Sequence, residues 1–415
     1  MTELLSPAGN FEKLRAALRF GADAVYLAGK CFGMRSAADN FTDEELAEAV
    51  QYTHERGKKI YLTVNTMPHG GEYPRLREYL QTAGAAGVDA MIVSDMGVFA
   101  TVRELLPQMD IHVSTQASIV SPAAARAWAA LGATRLVLAR ELNLDEVRAI
   151  REALDPAVEL EAFVHGSMCV SYSGRCMLSN QFTGRDANRG GCAQPCRWNY
   201  TIVEEKRPDE RLPVMENENG TFILSSRDMC TLRHIPALIK AGVASFKIEG
   251  RMKSAYYAAV VTNAYRMAID AYLRNPAGYV FDERLYREVE SVSHRAYSTG
   301  FWFDDPRVNP QLTEDVGYIR EKAYFATVSA RGELPAGLIA ENEEGTLCRL
   351  LQRNKVCLGD TAELLTPGRV GIPFRVTELY DAEGMPIESA PHPKMEFFCR
   401  LPHVACEGDI IRAGD

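Results

Sequence analysis

The chain has 415 residues, 47% of them apolar and 24% charged, with a formal net charge of −9. This is the balance of a soluble globular protein long enough for one large domain and a smaller one. No run of eighteen apolar residues is present, and the opening "MTELLSPAGNFEKL" has no basic stretch followed by an apolar run, which excludes a membrane span and a secretory signal and predicts a cytoplasmic protein.

From the N-terminus, short apolar runs alternate with amphipathic ones. "ELLSPAG", "DAVYLAG", "KKIYLTVN", "VDAMIVSD", "DIHVSTQA", "TRLVLAR", "VELEAFVHG" and "VASFKIEGR" read as eight strands. Helical spacing fills the intervals, as in "NFEKLRAALRFG", which starts on an Asn cap and stops on Gly, and "TDEELAEAVQYTHERG", which starts on Thr with acidic residues in its first turn. Strand followed by helix, repeated, makes a parallel sheet covered by helices, and eight even repeats predict an α/β fold, a closed (β/α)8 barrel of the TIM type over residues 1–275. A Cys-rich insertion, 166–230, interrupts the pattern after strand 7. Residues 276–322 read as a connector with some helix. From 323 to 415 the pattern turns to short strands separated by Gly turns, which predicts a small C-terminal β-barrel domain.

The insertion holds Cys169, Cys176, Cys192, Cys196 and Cys230 at the spacing C-x6-C-x15-C-x3-C, then thirty-three residues to the last. A reducing cytosol disfavours disulfides. Only Cys192 and Cys196 make a short pair of the kind zinc sites prefer. Thiolates at irregular spacing on loops suit an iron-sulfur cluster better, although zinc and plain reduced thiols in a Gly-rich loop are alternatives that spacing leaves open. Arg175, Arg185, Arg189 and Arg197 stand against Asp186 alone between 166 and 198, a positive island on an acidic chain.

Chemistry in such barrels sits at the C-terminal ends of the strands. Asn65, Ser94, Asp95, Gln116, Arg140, His165, Lys247, Glu249, Arg251 and Lys253 are the polar residues there. Lys247 and Glu249 alternate with Phe246 and Ile248, so both point into the barrel mouth, where a buried charge is costly unless paired or used. Arg251 and Lys253 are suited to a dicarboxylate or to RNA phosphate. Plain alternatives exist for Asp95 as a helix cap, for Gln116 as a partner of strand-end backbone and for His165 as a core histidine.

The segment "EAFVHGSMCVSYSGRCMLSNQFTGRDANRGGCAQPCRWNY", with "ELLSPAGN", "SDMG", "STQAS", "SFKIEGRMKS" and, in the tail, "RNKVCLGD" and "APHP", resembles the collagenase-like peptidase family U thirty-two over nearly the whole chain. The closest resemblance is to its tRNA-modifying branch. That likeness implies oxygen-independent hydroxylation of carbon 5 of the wobble uridine in tRNA, with prephenate as co-substrate and a [4Fe-4S] cluster as cofactor. It implies Cys169, Cys176, Cys192 and Cys230 as ligands, with Cys196 as the alternative, since a sister subfamily uses a cysteine there. His165, Lys247 and Glu249 are then the expected catalytic residues, and Asn65, Asp95, Gln116, Arg140, Arg175, Arg251 and Lys253 the expected substrate contacts. Arg175, Arg185, Arg189 and Arg197 would steer the anticodon loop, and Tyr172, Phe182 and Trp198 would stack on a splayed base. The family name also implies a peptidase. A zinc protease wants H-E-x-x-H, which "HERGK" is not. A thiol protease would need Cys169 to meet His165.

Overall fold

The computed structural model describes all residues except 1, 36–38, 170–175, 177, 199–201, 205–206, 213–215, 218–219, 222–225, 304–317, 331–333 and 415; for 188, 197 and the strands between 202 and 221 only the backbone is described. Eight strands form the barrel: β1 (Glu3–Pro7), β2 (Ala24–Leu27), β3 (Lys59–Val64), β4 (Ala90–Val93), β5 (Asp110–Val113), β6 (Arg135–Val137), β7 (Glu159–Ser167) and β8 (Ser245–Ile248). They pair in parallel in the order β8-β1-β2-β3-β4-β5-β6-β7, and β8 pairs with β7 to close the ring. Each strand is followed by its helix: α1 (Phe11–Arg19), α2 (Asp43–His54), α3 (Tyr73–Ala86), α4 (Met96–Leu105), α5 (Pro122–Ala130), α6 (Leu144–Glu152), α7 (Ile235–Lys240) and α8 (Ala255–Arg274). The predicted barrel is therefore present, with the insertion between β7 and α7. The start signals act as read. Asn10 accepts from the Lys13 N–H, and Thr42 and Glu45 satisfy each other's backbone N–H groups.

Outward-facing strand residues such as Val25, Leu62 and Val93 pack under the helices in one continuous core. The interior differs on its two sides. Leu5, Ala24, Tyr26, Tyr61, Ala90 and Ile92 fill one. The other is charged. The Arg135 guanidinium donates to Glu3 at 2.6 Å, Glu159 at 2.6 Å and Glu161 at 3.2 Å, and Lys247 Nζ donates to the other oxygen of Glu161 at 2.6 Å. Tyr61 and Ser245 donate to Glu3 at 2.6 and 2.7 Å. Burial alone would push the Glu3 carboxyl up; Arg135 and these donors outweigh it and hold it below the ordinary value.

β7 is the longest barrel strand, nine residues, and overshoots the ring. On its overhang the strand Asp228–Cys230, the return leg of the insertion, pairs antiparallel, with Asp228 opposite Ser167 and Cys230 opposite His165. Tyr297–Ser298 adds to the far side of that leg. The connector thus contributes a strand to the sheet, and its helix Glu283–Glu290 puts Leu285 and Val289 into the barrel core. Arg295 locks the junction by a buried pair with Asp228 at 2.8 Å.

The C-terminal domain is antiparallel: β9 (Tyr324–Val328), β10 (Gly345–Gln352), β11 (Thr361–Leu365), β12 (Ile372–Arg375), β13 (Leu379–Tyr380), β14 (Glu396–Leu401) and β15 (Ile410–Ala413), in the order β12-β11-β15-β9-β10-β14-β13. A small barrel is expected there; among the described residues the strands form one antiparallel sheet whose end strands, β12 and β13, are not paired to each other. The domain docks through apolar contacts, with Leu365 and Ile410 joining the barrel core, and through charge. Arg412 reaches Glu363 within its own domain and Glu288 of the connector, each at 2.7 Å, and Arg19 of α1 reaches Asp409 at 2.5 Å.

Arg135→Met is expected to cost about 3–5 kcal/mol, because it leaves the largely buried Glu3 without its cation and takes from Glu161 one of its two. Urea denaturation at neutral pH measures it; a loss below about 1 kcal/mol would mean the network is dispensable.

Candidate active site

At the C-terminal ends of the strands lies a cavity of about 240 Å³. Of the residues expected there, Asn65, Gln116, Arg140, Lys247, Glu249 and Arg251 line it, together with the thiols Cys169, Cys176, Cys192 and Cys196. Arg35, on the loop after β2, and Glu141 also line it, and were not singled out from sequence. Arg35 stands in "GKCFGMRS", a glycine-containing loop directly after a strand, which is the signal that could have found it.

The charges are organised around Glu249. Arg140 donates to it at 3.1 Å and lies over the Phe163 ring, 3.9 Å from its centre. Burial pushes the Glu249 carboxyl up, but Arg35, Arg140, Arg251 and Lys247 together outweigh that and hold it below the usual carboxylate value. Glu249 is therefore an anion at neutral pH, not a proton donor. Lys247 is tied to Glu161 beneath and sits 4.6 Å from the centre of the Tyr26 ring. Arg251 is 4% exposed and lies 3.5 Å from Asn40. Gly166 makes the arrangement possible. Its φ is +107°, and a β-carbon there would stand 2.5 Å from the Glu249 carbonyl oxygen and 2.9 Å from its Cβ.

A chain of amides crosses the cavity wall. The Met34 backbone N–H donates to Asn65 Oδ1 at 3.0 Å, and Asn65 Nδ2 donates to Gln116 Oε1 at 2.6 Å. Gln116 Nε2 is buried and has no partner.

The insertion folds over this mouth. Arg189 donates to the Met67 carbonyl at 2.9 Å and pairs with Glu72 at 2.7 Å. Gly190, at φ +90°, lies so close to the β2 loop that a β-carbon would come within 3.2 Å of the Gly33 oxygen. These contacts turn Cys192 and Cys196 toward the same cavity as Cys169 and Cys176. None of the four is in a disulfide. The Gln194 N–H points at Cys192 Sγ at 3.4 Å, the kind of donor that stabilises thiolate charge. Four thiols on one cavity with basic side chains behind them fit a cluster bound through sulfur. Among the described residues, no group of three or more His, Cys, Asp or Glu side chains forms a site for a single metal ion.

Other expected residues lie elsewhere. Cys230 is 5% exposed on the outer face of the β7 overhang, and burial pushes its thiol up to about 12. The reason is register: Cys230 pairs opposite His165, four residues before Cys169 on the neighbouring strand. Cys196, the alternative, is the fourth thiol on the cavity. His165 faces outward among Tyr257, Tyr265 and Tyr297, with ring centres 5.3–6.0 Å away. Burial drives its pKa down to about 3, so it is neutral. It does not line the cavity that Cys169 lines, so the two do not form the thiol-imidazole pair a thiol protease requires. Asp95 caps α4, accepting from Gly97 and Val98 at 2.9 and 3.0 Å. Ser94 donates to the Asn65 carbonyl at 3.0 Å. Lys253 donates to the Ser293 carbonyl at 2.8 Å, outside the cavity. Arg175 and Tyr172 lie outside the described residues, as does the Arg197 side chain. Arg185 is exposed, and Phe182 and Trp198, 54% and 40% exposed, stand 6.3 Å apart.

Because the Glu249 pKa is lowered on folding, the stability it contributes is present above its unfolded value of 4.5 and lost as pH falls through the folded one. Glu249→Gln is expected to lower the melting temperature at neutral pH. The gap to the parent should narrow in acid; a gap that stays constant below the ordinary carboxylate range contradicts this.

The profile described as Peptidase family U32 matches residues 9–311, and that of the Peptidase family U32 C-terminal domain matches 335–412. The chain is 38% identical to "tRNA hydroxylation protein P1" of Bacillus subtilis, over 99% of this chain and 94% of that one. It is 36% identical to "tRNA hydroxylation protein P" of Escherichia coli, over 93% and 91%. It is 43% identical to the "23S rRNA 5-hydroxycytidine C2501 synthase" of Escherichia coli, over 65% of this chain and 39% of that one. With both of its domains matched, the chain belongs to peptidase family U32.

Proposed function

We propose that the protein is a cytoplasmic RNA hydroxylase that acts on carbon 5 of the wobble uridine in tRNA, with prephenate as co-substrate. In this reading Cys169, Cys176, Cys192 and Cys196 hold a [4Fe-4S] cluster. The observation that carries it is the meeting of those four thiols with Arg35, Arg140, Lys247 and Arg251 on one cavity. The similarity to proteins named for tRNA and rRNA hydroxylation supports an RNA substrate.

The residues divide the work by charge. Arg35, Arg140 and Arg251 are suited to carboxylates, which guanidinium groups bind through two parallel hydrogen bonds. Glu249 keeps Arg140 in place and stops the basic wall from being a uniform anion trap. Lys247 is held by Glu161 and acts as a fixed positive charge, not as a base. Phe182 and Trp198, on the insertion, offer exposed rings for a base drawn out of the anticodon loop. When bound, the cluster would supply electron-transfer or Lewis-acid chemistry to the cavity.

Protein purified without oxygen is expected to carry about four irons and four sulfides per chain. Cys196→Ala should lose most of that iron, and Cys230→Ala should retain it. One zinc and no sulfide, or iron lost from the Cys230 variant alone, overturns the ligand set. Nucleosides of tRNA from a strain lacking the gene should lack the C5-hydroxylated wobble uridine and its derivatives; an unchanged profile rejects the function.

A further inference from the structure

The cavity wall contains an amide whose orientation is forced and whose nitrogen has no partner. The chain of direction begins at a backbone N–H, which can only donate. Met34 N donates to Asn65 at 3.0 Å, so the oxygen of the Asn65 amide faces Met34. The Asn65 nitrogen must then face Gln116, and it does, at 2.6 Å from Oε1. Ser114 Oγ supports the same polarity. It accepts from the Gln116 backbone N–H at 3.4 Å and donates to Oε1 at 3.3 Å. Gln116 therefore cannot flip alone without setting its nitrogen against the Asn65 nitrogen, nor together with Asn65 without setting the Asn65 nitrogen against the Met34 N–H. Its Nε2 is left as a pure donor. That atom is buried and unpartnered, on a residue that lines the cavity. An orphaned buried donor is destabilising, a penalty removed when an acceptor arrives.

We propose that Gln116 is a specificity-determining residue, donating from Nε2 to an sp² oxygen of the molecule held in the cavity. It rests on the function proposed above only for its probes. Two sources present that oxygen: the keto or carboxylate group of a small organic acid, and the C4 carbonyl of a uracil ring. Both are acceptors. The amino group that cytosine carries at the same position is a donor and meets Nε2 head-on. Asn65 is a positioning residue in this scheme, since it acts through Gln116.

The test uses the full-length, cluster-loaded protein and calorimetric titration with two probes, prephenate and a uridine-bearing anticodon stem-loop. Gln116→Glu preserves shape and leaves Asn65 an oxygen to bind, but puts an acceptor where the donor stood. The variant is expected to lose at least tenfold in affinity for one probe and less than twofold for the other, which identifies the source of the oxygen. Gln116→Asn, which withdraws the amide by one methylene, should weaken the same probe, and it replaces the first variant if that one does not fold. Asn65→Asp, which cannot donate to Oε1 when ionised, should weaken it too. Unchanged affinities for both probes in a folded variant overturn the inference, as does a parent protein that binds neither. A parent that hydroxylates tRNA while Gln116→Glu binds both probes normally sinks this inference alone. A parent that does not hydroxylate tRNA, with prephenate affinity still falling on substitution, sinks the function and upholds the role of Gln116.

Discussion

Glu161 is fully buried, and both of its oxygens are taken by cations from neighbouring strands, Arg135 from β6 and Lys247 from β8. A carboxylate so placed is tolerable only while both partners stay. It fixes the relative height of three consecutive strands at the seam where the barrel closes. It also decides the chemistry above it. With Lys247 held from below, the mouth receives a positive charge that cannot swing away. Glu249 then becomes a carboxylate surrounded by cations, and its ionised state follows from that company. The active face thus inherits its charge pattern from the column beneath it.

The barrel was legible because its two periodicities are clean. Strands of uniform apolar character, split by capped amphipathic helices, admit few packings, and the insertion announced itself as a break in that rhythm. Glu161 was also visible in principle: "VELEAFVHG" places charges at alternate positions of a strand otherwise fully apolar. What the one-dimensional pattern could not convey was the overhang of β7. By simple alternation, polar residues at the end of a strand face the mouth. His165 breaks that rule, because pairing between β7 and β8 shifts by a residue just there, between Lys247 and Ile248. Cys230 follows His165 outward for the same reason, being its cross-strand partner. The resemblance to a family carried the ligand set only as far as its own ambiguity, and the fold sorted Cys196 to the cavity and Cys230 to the core behind it. Asp95 and Lys253 illustrate a different limit: a helix N-terminus and a backbone carbonyl claimed them, and local sequence does not reveal such prior commitments.

The two halves of the site come from distant parts of the chain and meet at the loop after β2. Gly190 of the insertion lies against Gly33 and Met34 of the β2 loop, and Met34 is the residue whose N–H orients Asn65. Sulfur ligands and the amide chain are therefore mechanically adjacent. A side chain at position 190 would push on the same peptide that sets the polarity of the opposite wall.

β7 carries both roots of the Cys-rich segment. The outgoing leg is its own continuation, and the returning leg, Asp228–Cys230, is hydrogen-bonded to its flank and clamped by Arg295. With both ends stapled to one strand, the segment is hinged at a single point of the ring, and the contacts of Arg189 and Gly190 with the loops opposite fix how its thiols hang over the mouth.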